Sequence, residues 1–592
     1  MSNASIKIIK NTFELIDKED KRKIFLLIPI YVVLAITDLV GVALLGSVGT
    51  LGFKIISGDK QKSRIENIID QFFKHEYSLT VLTMSLLICS LMVLTIRMIS
   101  NSYLSYRLVR FQARLQTNVA KNLFNKIITS DISKINYNKY SDYQYSLLTS
   151  SSRTISAVIG VVIIIFSDLF TILLMAVFAF YASPFSFLSA LIVFSLVILF
   201  INGPISKKAK YYGKQNALLH TNITADLLQL FQGIKEIKAY KQTDSIGKIF
   251  SNNKLNHSLM NEKSIWLNSL VRYLLELAII LAGSLIMIVL LVTTDTKHTV
   301  TVLVVFLAIS FRLIPNLQRI QNSILLLKNT EGASSLLFEL FRQFDKNKIN
   351  EIVSTKQFSF IELNKVYFKH AGINNDFILE DINISIEKNT TTAIIGISGA
   401  GKTTLVDLIC GLYSPTLGEI KFLDQDLHVI TNWESGLKIS YVSQNPVIFQ
   451  GSLLMNITLK NQITNLERIR ANDILEKLGL SNLLFESDGT TSKQIRSDGT
   501  NTSGGERQRI SLARAQFFDS DLVVLDEPSS ALDTDSKSKV YDFIKNIEGS
   551  KTVLIITHDE NLIDFCDRTI LVKNKTIGFE GKTTDYLNFK KS

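Results

Sequence analysis

Cysteine is almost missing from this chain: three in 592 residues, Cys89, Cys410 and Cys566, with no CxxC spacing. That excludes a disulfide framework and leaves no zinc-ligand pattern. A cleavable leader is missing too, because the first apolar run begins near Ile24 and is too long for the core of a signal peptide. Nor is there a basic stripe with interleaved aromatics, so the net charge of +11 does not read as nucleic-acid binding. The lysines and arginines gather instead in loops beside apolar segments, as expected for the cytoplasmic side of a membrane protein.

What is there is segregated. The chain is 47% hydrophobic yet 20% charged, and nearly all the long apolar runs lie before about residue 325. Its length exceeds what one hydrophobic core organises, so at least two domains are expected. A spanning helix needs about 20 apolar residues. Six runs qualify: 24–55, 78–104, 155–182, 185–205, 267–293 and 298–324. The long connections after the second and fourth runs carry Lys207, Lys208, Lys210, Lys214, Lys235, Lys238 and Lys241. Those loops should be cytoplasmic, which puts the N-terminus and everything after the sixth span on the same side. Between the first two spans, Ile65, Ile68, Ile69, Phe72 and Phe73 recur at helical spacing. Two structures suit that pattern equally: an amphipathic helix on the outer membrane surface, or an extension of a neighbouring span.

The expected organisation is a helical six-span transmembrane domain over 1–325, a polar linker over 326–355 and an α/β domain over 356–592. In the last, short β-rich runs at 358–363, 391–395, 439–442, 522–525 and 552–556 alternate with helical stretches, as in a largely parallel sheet.

Two motifs in that domain carry chemistry. Residues Gly396, Ile397, Ser398, Gly399, Ala400, Gly401, Lys402 and Thr403 match G-x-x-x-x-G-K-[ST], directly after an apolar strand and before a helical run opened by Thr404. Glycines let backbone N–H groups wrap phosphates, and the helix N-terminus adds its positive end. Lys402 is suited to β/γ-phosphate charge and Thr403 to Mg²⁺. Downstream, an apolar strand ends in Asp526 and Glu527. Successive side chains point to opposite faces, so Asp526 suits the Mg²⁺ shell and Glu527 the attacking water.

Between and after these, Asn501-Thr-Ser503-Gly504-Gly505-Glu506-Arg-Gln508-Arg509 resembles the signature sequence of ATP-binding cassette (ABC) ATPases. Gln444 in Tyr441-Val-Ser-Gln resembles that family's Q-loop, Asp533 closes a D-loop-like Ser530-Ala-Leu-Asp, and His558 resembles the switch histidine. The resemblance implies an α/β P-loop ATPase domain that hydrolyses ATP with Mg²⁺, Thr403, Gln444 and Asp526 attending the metal. It implies that Lys402, Gln444, Glu527 and His558 serve hydrolysis. It also implies head-to-tail pairing with a second copy, so that Ser503, Gly504, Gly505, Glu506 and Asp533 approach ATP held by the partner's P-loop. Two positions depart from the family pattern: Thr502 and Glu506 stand where Leu and Gln are usual. A third stands at the adenine-stacking position, where His370 replaces the usual aromatic ring and offers less area.

Six spans followed by one ATPase resemble the exporter-type half-transporters, over essentially the whole chain. That implies a multi-pass protein of the bacterial cytoplasmic membrane with a cytoplasmic ATPase domain, paired as a homodimer. For the cargo, Arg97, Arg272, Arg312 and Arg319 lie in or beside the second, fifth and sixth spans. By helical rise Arg312 sits about 21 Å, Arg319 about 32 Å and Arg97 about 28 Å from the outer ends of their helices. Guanidinium groups gathered there suit a phosphate or diphosphate, although snorkelling or pairing with acids explains them equally. The segment Phe311-Arg-Leu-Ile-Pro315-Asn-Leu-Gln-Arg319-Ile resembles bacterial flippases for lipid-linked oligosaccharides. That implies a polyprenyl-diphosphate-linked, anionic substrate. A pump for peptide, bacteriocin, drug or another lipid is the alternative. A sensor that transports nothing would need an apolar bundle interior, against which the arginines argue. Coupling to the ATPase is expected through 137–147 and 239–246.

Overall fold

The computed structural model describes residues 3–57, 78–130, 132–136, 138–182, 184–293, 296–344, 359–370, 376–423, 429–431, 438–483, 494–495, 502–530, 532 and 534–591. The segment between the first two expected spans, 58–77, lies outside them, as does Asp533. The chain divides into two units, Met1–Thr129 with Asn138–Asn347, and Ser130–Tyr137 with Lys348–Ser592.

The first unit is helical. Among the described residues five helices are long and apolar enough to cross a membrane: Lys18–Gly49, Leu79–Ile128, Tyr140–Val177, Phe187–Gln232 and Thr243–Ile288. The sixth expected span falls in the helix Thr296–Asn329, whose side chains up to residue 312 lie outside the described ones. Large apolar side chains face outward along these helices, among them Leu91, Met98, Leu199 and Ile280. Lipid tails are as apolar as leucine, so such exposure carries no penalty in a bilayer. The helix Leu79–Ile128 shows the change of solvent along its length. Its far end buries Leu115, Val119, Leu123 and Ile127, one stripe at four-residue spacing.

Two local devices shape this unit. Pro204 falls in the π-helical turn Ile201–Ile205, where the missing N–H is absorbed by the wider ring. Gly213 and Gly332 let two helices meet backbone to backbone: a Cβ at Gly213 would collide with the Asn329 carbonyl. One at Gly332 would stand 2.7 Å from Lys214 Cα. Nearby, the Lys210 ammonium reaches Glu331 at 2.6 Å. Residues 331–343 form an amphipathic helix that buries Leu337, Phe338, Leu340 and Phe341 within this unit. That part of the expected polar linker therefore has an apolar face.

In the second unit ten of the strands form two larger sheets. One has the order β2-β1-β4-β5, with β1 Phe360–Phe368, β2 Leu379–Glu387, β4 Leu417–Leu423 and β5 Val429–Thr431, all antiparallel. The other has the order β12-β11-β3-β10-β9-β6. Its strands are β3 Thr391–Ile395, β6 Ile439–Val442, β9 Leu522–Asp526, β10 Thr552–Ile556, β11 Arg568–Lys573 and β12 Thr576–Lys582. β12 runs antiparallel at one edge, and the other five are parallel. Strands β3 and β10 are buried along their whole length, which is why they read as continuous apolar runs. A short pair, β7 Gly451–Ser452 and β8 Gln494–Ile495, stands apart. The expected helical domain followed by an α/β domain is thus what the chain forms.

The segment 130–137, from the connection after the second expected span, belongs to this second unit. The Ile132 N–H donates to the Leu412 carbonyl at 3.2 Å, and Asn136 Nδ2 to the Tyr413 hydroxyl at 3.2 Å. Further along, within the expected coupling segment 137–147, Tyr143 and Tyr145 are buried and belong to the first unit. Their apolar rings are better accommodated in a helical core than in a polar groove.

Candidate active site

Strand β3 delivers the chain into a loop that glycine makes possible. Gly399 and Gly401 have φ of 80° and 98°, values that a side chain would strain. At Gly396 a Cβ would collide with the Val572 carbonyl of the neighbouring strand. The helix Lys402–Ile409 starts at once from Gly401, so its free N–H groups face the loop. Lys402 is 7% exposed and folds back inside the curl. Its Nζ donates to the carbonyls of Gly396 at 2.7 Å and Ile397 at 3.0 Å. Burial pushes its pKa down, against the pull of Glu527 and Asp526.

Strand β9 brings the acids to the same place. Its pairing with β10 aligns Asp526 with Ile556, and the Glu527 N–H donates to the Ile556 carbonyl at 2.9 Å. Glu527 then takes φ 46°, a left-handed conformation that costs a non-glycine residue about 1–2 kcal/mol. The turn re-aims its carboxylate. Oε2 accepts from Gln444 Nε2 at 2.5 Å, and Oε1 lies 4.0 Å from His558 Nε2. His558 Nε2 is also 3.2 Å from Lys402 Nζ. A charged ammonium can only donate, so that ring nitrogen accepts and the imidazole proton sits on Nδ1. Asp526 is raised above the usual carboxylate range by burial first and by Glu527 second, with Lys402 and the Tyr441 hydroxyl opposing.

Lys402, Gln444, Glu527 and His558, which are up to 156 residues apart, therefore form one connected group. Among the described residues, Ser503, Gly504, Gly505 and Glu506 share no hydrogen bond or ion pair with it. They open the helix Gly504–Phe518, which packs on the helices Leu453–Thr458 and Asn465–Lys477. Here Glu506 completes a capping box. Its Oε2 accepts from the Ser503 N–H at 2.6 Å, while the Ser503 hydroxyl accepts from the Glu506 N–H at 3.2 Å. A carboxylate in a first helical turn also suits the helix dipole. This gives the unusual residue a local structural reason. The His370 ring is held edge-on by Phe368 and Tyr413, with centroids 5.1 and 5.3 Å away, while Tyr367 turns to Phe377.

For a metal, the donors at hand are the Thr403 hydroxyl, the Gln444 carboxamide and the Asp526 carboxylate. All are hard oxygens, a set that fits Mg²⁺. No group of three or more His, Cys, Asp or Glu gathers to hold a metal among the described residues. Mg²⁺ bound here would thus share its shell with substrate phosphates and water.

Asp407 and Tyr441 lie beside this group, and motif reading passed over both as candidate site residues. The signal was present in Asp407: one carboxylate in the apolar run Thr404–Cys410. Burial pushes it up to about 6.

In the membrane unit two of the four arginines are paired with acids. Arg319 grips Asp168 through Nε–Oδ2 and Nη2–Oδ1, both at 2.9 Å, and Nη2 also donates to Asn316 Oδ1. Arg272 pairs with Glu276, one turn on, at 2.8 Å and is exposed. Arg97 is half-buried, and the Arg312 side chain lies outside the described ones.

Residues 379–530 match the ABC transporter family. The chain is 26% identical to the transport/processing ATP-binding protein ComA of Streptococcus pneumoniae, over 75% of its own length and 61% of ComA's. It thus spans about three-fifths of that relative. With the ATP-dependent lipid A-core flippase of Wigglesworthia glossinidia brevipalpis it shares 25% identity over 89% of each chain. Its fold is that of a bacterial Atm1-family ABC exporter solved with ATP bound, at a TM-score of 0.76, 16% identity and 97% coverage of both chains. Residues 379–530 thus carry the match to the ABC transporter family, the chain as a whole has the fold of an ABC exporter, and helices long and apolar enough to span a bilayer precede the matched ATP-binding domain.

Proposed function

We propose that this chain pairs with a second copy in the bacterial cytoplasmic membrane and uses ATP hydrolysis to flip a lipid-linked oligosaccharide outward, drawing it in by its polyprenyl diphosphate. For the ATPase, the observation that carries the reading is the connected group of Lys402, Gln444, Glu527 and His558. Lys402 neutralises the β- and γ-phosphates, and the Gly396–Gly401 loop, with Thr404, supplies backbone donors around them. Thr403, Gln444 and Asp526 would hold Mg²⁺, which when bound would offset charge on the transferring phosphoryl group. Glu527 orients the attacking water and accepts its proton, and His558 senses the γ-phosphate. Ser503, Gly504, Gly505, Glu506 and Asp533 complete the site of the partner copy, which leaves each chain's own group short of those donors. His370 lies against the adenine.

For the cargo, Arg319 is paired with Asp168, as the structural alternative for these arginines also requires, and the lipid reading takes this pair to open on substrate binding. It joins two spanning helices with a charge pair that a diphosphate, itself a bidentate acceptor, can exchange with. The similarity to a lipid A-core flippase along most of the chain fits a lipid-anchored, anionic cargo. Peptide export is the second reading, favoured by the similarity to ComA.

ATPase activity in lipid nanodiscs, with and without a polyprenyl-diphosphate-linked oligosaccharide, tests the choice. Stimulation is expected in the wild type and its loss in Arg319→Gln/Asp168→Asn, a double change that leaves no orphaned charge. Stimulation by peptides alone would overturn the lipid reading.

A further inference from the structure

Strands β9 and β10 run side by side as far as Asp526 and Ile556, and the Glu527 N–H to Ile556 carbonyl bond at 2.9 Å closes the ladder. Beyond it both chains leave the sheet. One turns back through Glu527–Ser530, where the Ser530 N–H and hydroxyl both donate to the Glu527 carbonyl, at 3.1 and 2.9 Å. The other passes through Thr557 and His558 into the short helix Glu560–Asp564. The His558 side chain is 54% exposed, so packing alone does not hold its ring. A displacement of about 1 Å would already break its 3.2 Å contact with Lys402.

Asp559 bridges the two excursions. Its Oδ2 accepts from the Ser529 hydroxyl at 3.2 Å and from the Tyr541 hydroxyl at 2.9 Å. Its Oδ1 accepts from the Asn561 N–H at 3.1 Å, capping the short helix, and its own N–H donates to the Thr557 hydroxyl at 3.0 Å. Both hydroxyl donors are themselves fixed. Ser529 is buried, and Tyr541 packs against the core that holds Val540 and Ile544 and stacks on Phe565 with ring centroids 6.1 Å apart. We propose that Asp559 is a positioning residue for γ-phosphate sensing: held by Ser529 and Tyr541, it ties the turn that carries Glu527 to the segment that carries His558, and so sets where the imidazole stands. This rests on the reading of His558 as the γ-phosphate sensor.

A helix cap by itself needs neither hydroxyl. Capping uses Oδ1, and Ser, Thr or Asn would serve there as well. The second oxygen instead takes two donors from outside the helix, one from the turn after Glu527 and one from the helix Thr534–Ile547. A carboxylate can accept at both oxygens at once, and its bonds are about twice as strong as those between neutral groups.

The test measures ATP and ADP affinities of the full-length protein in nanodiscs by displacement of a fluorescent ATP analogue, with EDTA in place of Mg²⁺ so that no turnover intervenes. ADP lacks the γ-phosphate, so the ratio of the two affinities reads the sensor. His558→Ala should lower the preference for ATP about tenfold, the worth of a hydrogen bond to a charged group. The double change Ser529→Ala/Tyr541→Phe removes the tie and leaves the cap. It should lower the preference about 3–10-fold with ADP affinity within about twofold of wild type, and Asp559→Ala should do the same. Adding His558→Ala to either should cost little more than His558→Ala alone, because the loss already runs through that ring. An unchanged preference in both variants, where His558→Ala lowers it, overturns the positioning role. ATP and ADP affinities that fall together overturn it too, as do losses that add in full to that of His558→Ala, since both mark a merely structural part. If His558→Ala itself leaves the preference unchanged, the sensor reading fails, and the positioning role fails with it.

Discussion

Glu527 shows how a single backbone angle serves chemistry. Its left-handed φ of 46° is costly for a side-chain-bearing residue, yet it turns the carboxylate from the strand axis toward Gln444 and His558. Replacing Glu527 with Gln keeps the size and the contact with Gln444 but removes the base. Hydrolysis should fall by about 100-fold or more while ATP binding persists, measured by turnover and by nucleotide retention in parallel. Asp407 offers a second prediction at this scale. Its folded pKa of about 6 lies above the ordinary carboxylate value, so the folded state holds this proton more tightly than the unfolded chain. The stability it contributes is complete below about pH 4 and is lost as pH rises through about 6. Asp407→Asn should therefore melt higher than wild type at pH 7.5, with the gap closing toward pH 4.5, in nucleotide-free thermal unfolding. Neither residue was equally open to sequence reading. Glu527 ends an apolar strand beside Asp526 and follows a P-loop, so its place could be read. The meeting of Asp407 with Tyr441 depends on β6 lying next to β9, and strand order is not written in any local pattern.

At the scale of elements, continuous apolar runs were legible to the residue. Thr391–Ile395, Ile439–Val442 and Thr552–Ile556 are the strands β3, β6 and β10; β3 and β10 are buried on both faces and β6 on alternate positions, so none carries a charged residue to blur its ends. Of the antiparallel sheet only β1 was legible, through the run 358–363; β2 was hidden because Leu379–Glu387 mixes acids with isoleucines, the alternation of a half-exposed strand. The Arg319–Asp168 pair was hidden by distance, 151 residues in the chain. Helix contacts were equally silent, and they carry two predictions. Gly213→Ala forces a methyl group into the Asn329 carbonyl, so the two backbones must part. A loss of about 1–3 kcal/mol is expected, read as a lowered melting temperature. Asn456 is fully buried. It accepts from the Phe449 N–H at 2.8 Å and donates to the Phe449 and Ser452 carbonyls at 2.7 and 3.2 Å. Asn456→Ala should cost about 2–4 kcal/mol by orphaning those groups, and a Leu substitution should not rescue it.

For the whole molecule, the separation of the signature residues Ser503–Glu506 from the group around Lys402 is the feature to explain. The proposed pairing of two copies would explain it, each copy completing the other's site. Mixing then becomes a test: Lys402→Ala and Gly505→Asp should each be inactive alone. In a mixed pair one site combines both lesions, and the other combines the intact P-loop of one copy with the intact signature of the other. Co-expressed variants, purified as mixed pairs through different tags, should regain ATPase activity that neither shows alone. No recovery in purified mixed pairs would count against composite sites. The capping role of Glu506 belongs to the same picture, since a well-ordered helix start is what a partner's phosphate would meet.

The central claim is that ATP hydrolysis here moves an anionic, lipid-linked oligosaccharide across the membrane. Its most direct test reconstitutes the wild type and Glu527→Gln in proteoliposomes carrying a polyprenyl-diphosphate-linked oligosaccharide, and follows the glycan's accessibility to an enzyme confined to one side. The account predicts transfer to the opposite leaflet that requires ATP, is lost in Glu527→Gln and is reduced in Arg319→Gln/Asp168→Asn. Equal accessibility with and without ATP, in protein that hydrolyses ATP, would contradict it.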